Sequence, residues 1–277
     1  MIKVKIHDLK IFENFLIIAG KFVQQGQLLI TKNKSSMYCK NPKEFSTSRL
    51  LLDTNVITLD ENENIDFIKI CIRDITALRS SINIIQTVEN INKTVLLLEE
   101  IKTGDGETFA KTIQYKGQAK FKLISVDFQV IEQYVSKELT VDLTKTWEFN
   151  IDPLRLDILQ NKTGNIVNTQ DDVSIYFYED PTSKKVMIDL KSKSSPYMNN
   201  IALPISDTYI GHLPETMPEV AIHESSFRLL NILKVTDQNK LNCFFNDEYN
   251  LFFIESELNQ LNYYIKSRLL ISIIKGK

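Results

Sequence analysis

Along this chain the spacing of apolar positions switches four times from a period of two to a period near 3.6. Each switch falls at a residue suited to cap a helix. Trp147, Phe149 and Ile151 alternate with Glu148 and Asn150. Asp152-Pro153 then supplies a cap acceptor and a good first helical residue, and Leu154, Ile158 and Leu159 return at helical spacing. The same unit appears where Ile2–Asp8 leads into Leu9–Lys21, where Phe67–Asp74 leads into Ile75–Gln86, and where Glu219–Ser225 leads into Phe227–Thr236. The caps Asp8, Asp74, Asp152 and Ser225 lie 66, 78 and 73 residues apart, which predicts a fourfold β–α repeat. In the first helix Leu9, Phe12, Phe15, Leu16 and Ala19 form the buried stripe. In the second the stripe is Ile75, Leu78, Ile82 and Ile85, with Thr76, Arg79, Ser80 and Asn83 outward.

The intervals alternate as strands. Gln27–Thr31, Ser36–Lys40 and Ser46–Asp53 follow the first helix. A hairpin of Thr94–Ile101 and Thr108–Tyr115 over Gly104-Asp-Gly106, then Ala119–Asp127, follows the second. The segment 129–144 fits neither period and reads as a connector between two similar halves. In the second half Val173–Tyr178, Lys185–Lys191 and Asn200–Ile205 precede the fourth unit, and Leu241–Asn246, Leu251–Leu258 and Leu261–Ile265 close the chain. The expected fold class is α+β, with two helices on one face of antiparallel sheets in each half. The expected division is a first domain at 1–128, the connector at 129–144 and a second domain at 145–277.

Composition narrows the partners. The chain has 277 residues, 43% of them hydrophobic, a mean hydropathy of −0.14, a net charge of −2 and a pI near 6.0. A uniformly basic nucleic-acid binder is excluded, whereas a segregated basic face is not. The N-terminus lacks the apolar core of a signal peptide and the longest apolar runs are too short to span a bilayer, so a cytoplasmic location without membrane attachment is expected. Cys39, Cys71 and Cys243 are odd in number and sit in strand-like runs, which suits buried thiols in a reducing compartment.

No catalytic constellation stands out, and neither an enzyme nor a cofactor is expected. His7, His212 and His223 are scattered. Gly104-Asp-Gly106 is a hairpin turn, not a phosphate cradle, and Asp171-Asp172 point to opposite faces of an extended segment. The recurring signal is cationic. Lys10 and Lys21, Arg73 and Arg79, Arg155 and Lys162, and Arg228 and Lys234 place two basic residues at each of the four helices. Acidic pairs such as Glu61/Glu63 and Glu99/Glu100 fall on turns and strands, so a positive helix layer and a negative sheet layer are expected.

Several stretches carry a family resemblance across nearly the whole length. Leu9-Lys-Ile-Phe-Glu-Asn-Phe15, followed by Gly26-Gln-Leu-Leu-Ile-Thr31, resembles the opening of phage sliding clamps. Phe121-Lys-Leu-Ile-Ser-Val-Asp127 is similar to the end of a clamp's first domain. Lys240-Leu-Asn-Cys-Phe-Phe-Asn-Asp247 and Tyr263-Tyr-Ile265 are similar to a clamp's final strands. The family is that of DNA sliding clamps of the proliferating-cell-nuclear-antigen and T4-like phage type. The resemblance implies a homotrimeric ring around double-stranded DNA, bound without sequence preference by the eight helix cations, which tethers a DNA polymerase as a processivity factor. It also implies that Ala119, Phe121 and Leu123 of one copy meet Ile201, Leu203 and Ile205 of the next, where Pro204 is tolerable only on an edge. Polymerase and clamp loader would dock short peptides against Phe45, Val130, Ile131, Tyr134, Tyr264, Ile265 and Leu269. The apolar tail after Leu269 departs from the acidic tails of cellular clamps, and extending a strand, covering the pocket or binding a partner are all open to it. Two other readings stand beside this one: a monomeric clamp-like DNA-binding factor, and a viral structural or assembly protein of duplicated β-rich domains.

Overall fold

A computed structural model of the chain describes residues 1–40, 49–102, 108–124, 146–151, 173–179, 182, 186–192, 201–206, 209–210, 219–222, 241–246, 251–260 and 262–272. The chain divides into two compact units. One comprises Met1–Asn41, Leu50–Glu138 and Glu257–Ser267, and the other comprises Pro42–Arg49, Leu139–Ser256 and Arg268–Lys277.

In the first unit β1 (Ile2–Ile6) runs into α1 (Leu9–Phe22) through Asp8, whose carboxylate accepts the Ile11 N–H at 2.9 Å. β2 (Gly26–Thr31), β3 (Ser35–Lys40), β4 (Arg49–Thr54) and β5 (Ile57–Leu59) follow. β6 (Phe67–Ile72) then leads through Asp74 into α2 (Ile75–Glu89), with the Asp74 carboxylate accepting the Ala77 N–H at 2.9 Å. β7 (Thr94–Lys102), β8 (Thr108–Tyr115) and β9 (Phe121–Ile124) complete the sequence-contiguous part.

The repeat exchanges its strands. β1 pairs antiparallel with β7, not with the strand that follows it, and β6 pairs antiparallel with β2. The helices exchange backbone bonds in the same way. The Leu9 N–H that opens α1 is taken by Asn92 O just beyond α2, and the Ile75 N–H that opens α2 is taken by Gln24 O just beyond α1, at 2.8 and 2.9 Å. Each helix start is thus completed by the other helix's exit, which satisfies donors that a helix cannot pair itself. Neither half-repeat can finish its sheet or its helix alone.

The α1 stripe is wider than the expected five residues, because Ile11, Ile18 and Phe22 are buried with Leu9, Phe12, Phe15, Leu16 and Ala19. Full burial of a large apolar side chain contributes about 1.5–3 kcal/mol, so this helix anchors the unit. The α2 stripe is Ile75, Leu78, Ile82 and Ile85. At the start of β2, Gly26 leaves room for Cys39, since a Cβ there would stand 3.1 Å from its sulfur. Cys39 and Cys71 are buried free thiols.

The second unit repeats the pairing plan. β10 (Thr146–Ile151) pairs with β16 (Leu241–Asn246) as β1 pairs with β7. β11 (Val173–Glu179) pairs with β15 (Glu219–Ile222) as β2 pairs with β6. β14 (Tyr209–Ile210) joins β10 as β5 joins β1. β12 (Val186–Ser192) lies between β11 and β13 (Ile201–Ser206), and β17 (Leu251–Gln260) pairs with β16. The expected helices after Asp152 and Ser225 and the connector 129–144 lie outside the described residues.

Sequence periodicity misses three features. β5 and β14 are too short to show alternation, and the last strand, β18 (Tyr263–Ser272), continues well past the expected Ile265. The tail therefore extends a strand as far as Ser272, and Ile265, Ser267 and Leu269 are buried on it.

Candidate nucleic-acid interface

The two helices of the first unit each keep one outward stripe. On α1 it runs through Lys10, Asn14, Ile17 and Lys21, spaced by four, three and four residues. Lys10 and Lys21 are exposed and make no ion pair among the described residues. Arg73 is exposed as well, but it stands one residue before the Asp74 cap, on the strand side of the junction. The matching stripe on α2 is uncharged: Thr76, Ser80, Asn83 and Thr87. It is flanked by Ile84 and Val88, exposed at 54% and 50%.

Arg79 behaves differently from the other cations. Its Nε donates to Glu13 Oε1 across the α1–α2 seam at 3.2 Å, with the Arg79 side chain 43% and the Glu13 side chain 17% exposed. Among the described residues, Lys10, Lys21 and Arg73 are the expected contact residues left without an ion pair. Arg155, Lys162, Arg228 and Lys234 lie outside the described residues.

The expected segregation of charge by layer is incomplete. Strands carry Lys3, Lys111 and Lys122 in exposed positions alongside Glu100, and Lys111 stands 4.0 Å from Glu99. Lys5 meets Asp60 at 3.1 Å. The Asn62 backbone N–H, followed by Lys5, holds the Asp60 carboxyl below the ordinary carboxylate range. Among the described strands of this unit the exposed charges are mixed in sign.

Of the expected peptide-binding residues, Phe45, Val130, Ile131 and Tyr134 lie outside the described residues. Ile265 and Leu269 have no exposed surface, whereas Tyr264 is partly exposed. β18 is fastened here by its backbone. Tyr264 N–H donates to Asn55 Oδ1 at 3.0 Å, Thr54 Oγ1 donates to Tyr264 O at 2.6 Å, and Asn55 Nδ2 donates to Asn262 O at 2.9 Å. Partial burial, then the charges of Asp53 and Glu257, push the Tyr264 hydroxyl pKa up. One residue earlier, Tyr263 stacks on the His7 imidazole at 6.1 Å. His7 Nε2 lies 2.8 Å from Thr58 Oγ1, and burial followed by Lys5 and Lys93 lowers its pKa below 6.5. No sequence pattern marks this cluster, because its members stand far apart in the chain.

Of the expected contact strands, β9 pairs with β8 alone and β13 ends the four-stranded sheet of its unit. Each therefore has one ladder edge unpaired among the described residues. Pro204 lies in β13, opposite Met187 and next to an irregularity at Val186/Met187, on a strand that ends its sheet, where proline is tolerated. Among the described residues no group of three His, Cys, Asp or Glu side chains is placed to hold a metal ion. No described helix is long and apolar enough to cross a membrane.

No family model matches the chain, and neither does any curated protein. Solved structures do. Proliferating cell nuclear antigen (PCNA) of A. fulgidus, solved with the C-terminal region of FEN-1 bound, superposes with a TM-score of 0.61 at 12% identity over 100% of both chains. The PCNA2–PCNA3 complex of Sulfolobus tokodaii gives 0.57 at 11% identity, over 97% of this chain and 98% of that one. The chain has the DNA sliding-clamp fold.

Proposed function

We propose that this protein is a DNA sliding clamp, in which three copies close a ring around duplex DNA and hold a DNA polymerase at its template. The clamp fold over the full length of the chain supports this reading. The observation that carries it is that β9 in one unit and β13 in the other each have one ladder edge unpaired among the described residues. Unpaired edges invite pairing with another chain, and a head-to-tail match of two different edges closes into a ring when its rotation allows. Ala119, Phe121 and Leu123 of one copy then face Ile201, Leu203 and Ile205 of the next.

Lys10, Lys21 and Arg73, with Arg155, Lys162, Arg228 and Lys234 of the second half, contact phosphates. Such contacts carry no sequence information and let the duplex slide. No chemical step is needed, because enclosure makes polymerase rebinding effectively intramolecular. Short peptides of the polymerase and a clamp loader dock beside Tyr264, as the A. fulgidus protein takes a segment of FEN-1.

Light scattering tests the assembly, and retention on DNA tests the topology. The expected mass is about 96 kDa, three times the 32.0 kDa chain. The protein should stay on closed circular DNA and leave it after linearisation. Equal release from both forms overturns enclosure.

A further inference from the structure

We infer that Glu89, at the end of α2, is the latch that positions edge strand β9 for a second copy of the chain, an inference resting on the ring reading above. A carboxylate in the last turn of a helix meets the negative end of its dipole, so this position costs stability unless something compensates. Here the compensation lies outside the helix. Glu89 Oε1 accepts the Ala119 backbone N–H at 3.1 Å, and the Glu89 carboxylate also accepts the Tyr115 hydroxyl. Burial, followed by the Glu89 charge, pushes the Tyr115 pKa up. Gly117 sits between them, and a Cβ there would collide with both the Tyr115 hydroxyl and the Glu89 carboxylate. Asn90 ends α2 in the left-handed region, φ 52° and ψ 44°, turning the chain away immediately after the latch residue.

The latch matters because it holds the entry to an open edge. β9 begins two residues after Ala119, has four residues and is held on one side by β8. Phe121 stacks on Tyr115 at 5.9 Å, so the hydroxyl bonded to Glu89 belongs to the ring that seats the first residue of the strand. A short strand with one ladder has little to fix its free edge. Glu89 links that edge to the helix carrying the Thr76/Ser80/Asn83 stripe and makes assembly depend on a side chain outside the contact itself.

Three variants decide the matter: Glu89→Ala, Glu89→Gln and Gly117→Ala. Subunit dissociation is followed by sedimentation, amide exchange is followed over 119–124, and a melt checks the fold. Glu89→Ala and Gly117→Ala should raise the dissociation constant about tenfold and speed exchange at Ala119 and in β9, while Glu89→Gln, whose amide oxygen still accepts both bonds, stays within about twofold of the parent. Folded Glu89→Ala that associates like the parent overturns the inference. If the parent itself stays at 32.0 kDa at every concentration, the ring reading fails. In that event the exchange arm still decides the latch, and unchanged exchange at Ala119 in Glu89→Ala refutes it.

Discussion

Replacing Lys10, Lys21 and Arg73 together by Ala removes the three cations of the first unit's helix layer that no described carboxylate neutralises. All three are exposed and none supports the core, so the fold should be untouched. If each touches one phosphate, the slope of log affinity against log salt should fall by about 0.9 per contact, roughly 2 to 3 for each subunit that contacts the duplex. Between about 50 and 200 mM salt, affinity for a short duplex should then decline roughly 40-fold less than in the parent for each subunit in contact. Fluorescence anisotropy over that range reads the slope directly. The control is Glu13→Ala with Arg79→Ala, which removes the paired cation and its partner together. Because that guanidinium is bonded to Glu13 at 3.2 Å, the double variant should keep the parental slope. With the Arg79 side chain 43% exposed, the pair should cost under about 1 kcal/mol of stability. A triple variant with the parental slope, or a double variant that loses as much slope as Lys21→Ala alone, would refute the assignment of contacts.

Three further outcomes are expected. Asp8→Ala and Asp74→Ala should each cost about 1 kcal/mol in urea unfolding, because each carboxylate accepts the N–H three residues on. Stability should fall as pH drops through 6.5, since the folded His7 pKa lies below that value and the unfolded chain takes up its proton first. His7→Gln should flatten that part of the profile between about pH 8 and pH 5. Ile265→Ala should cost about 2–5 kcal/mol because the side chain is wholly buried, whereas Tyr264→Ala should weaken binding of a polymerase C-terminal peptide with a smaller change in stability. Equal loss of peptide binding from folded Ile265→Ala alone would move the site away from Tyr264.

How much of the molecule is legible in its sequence depends on the range of the forces involved. Caps and stripes act within a few residues. Asp8 and Asp74 therefore mark both described helix starts, and the spacing of Ile75, Leu78, Ile82 and Ile85 identifies the buried face. The Arg79–Glu13 bond joins residues 66 apart, and no local pattern shows that one of two similar helix cations is neutralised. Glu89 is an ordinary helix-end acid in the sequence, and only the fold brings Ala119 and Tyr115 to it. The tail after Leu269 reads as apolar chain of open destination, and nothing near Tyr264 in the sequence shows that Thr54 and Asn55, more than 200 residues earlier, fasten its backbone.

The sequence by itself determined the elements: a β–α module begun at Asp8 and Asp74, with strands of alternating burial around it. The tertiary structure decided how the modules complete one another, by pairing β1 with β7 and β6 with β2 and by exchanging the backbone bonds of Leu9 and Ile75. It also decided that Arg79 pairs with Glu13, and which strands keep an unpaired edge among the described residues. The reason is physical. Periodicity records which side of an element meets apolar surroundings, but hydrogen-bond and charge partners are chosen by proximity across the folded chain.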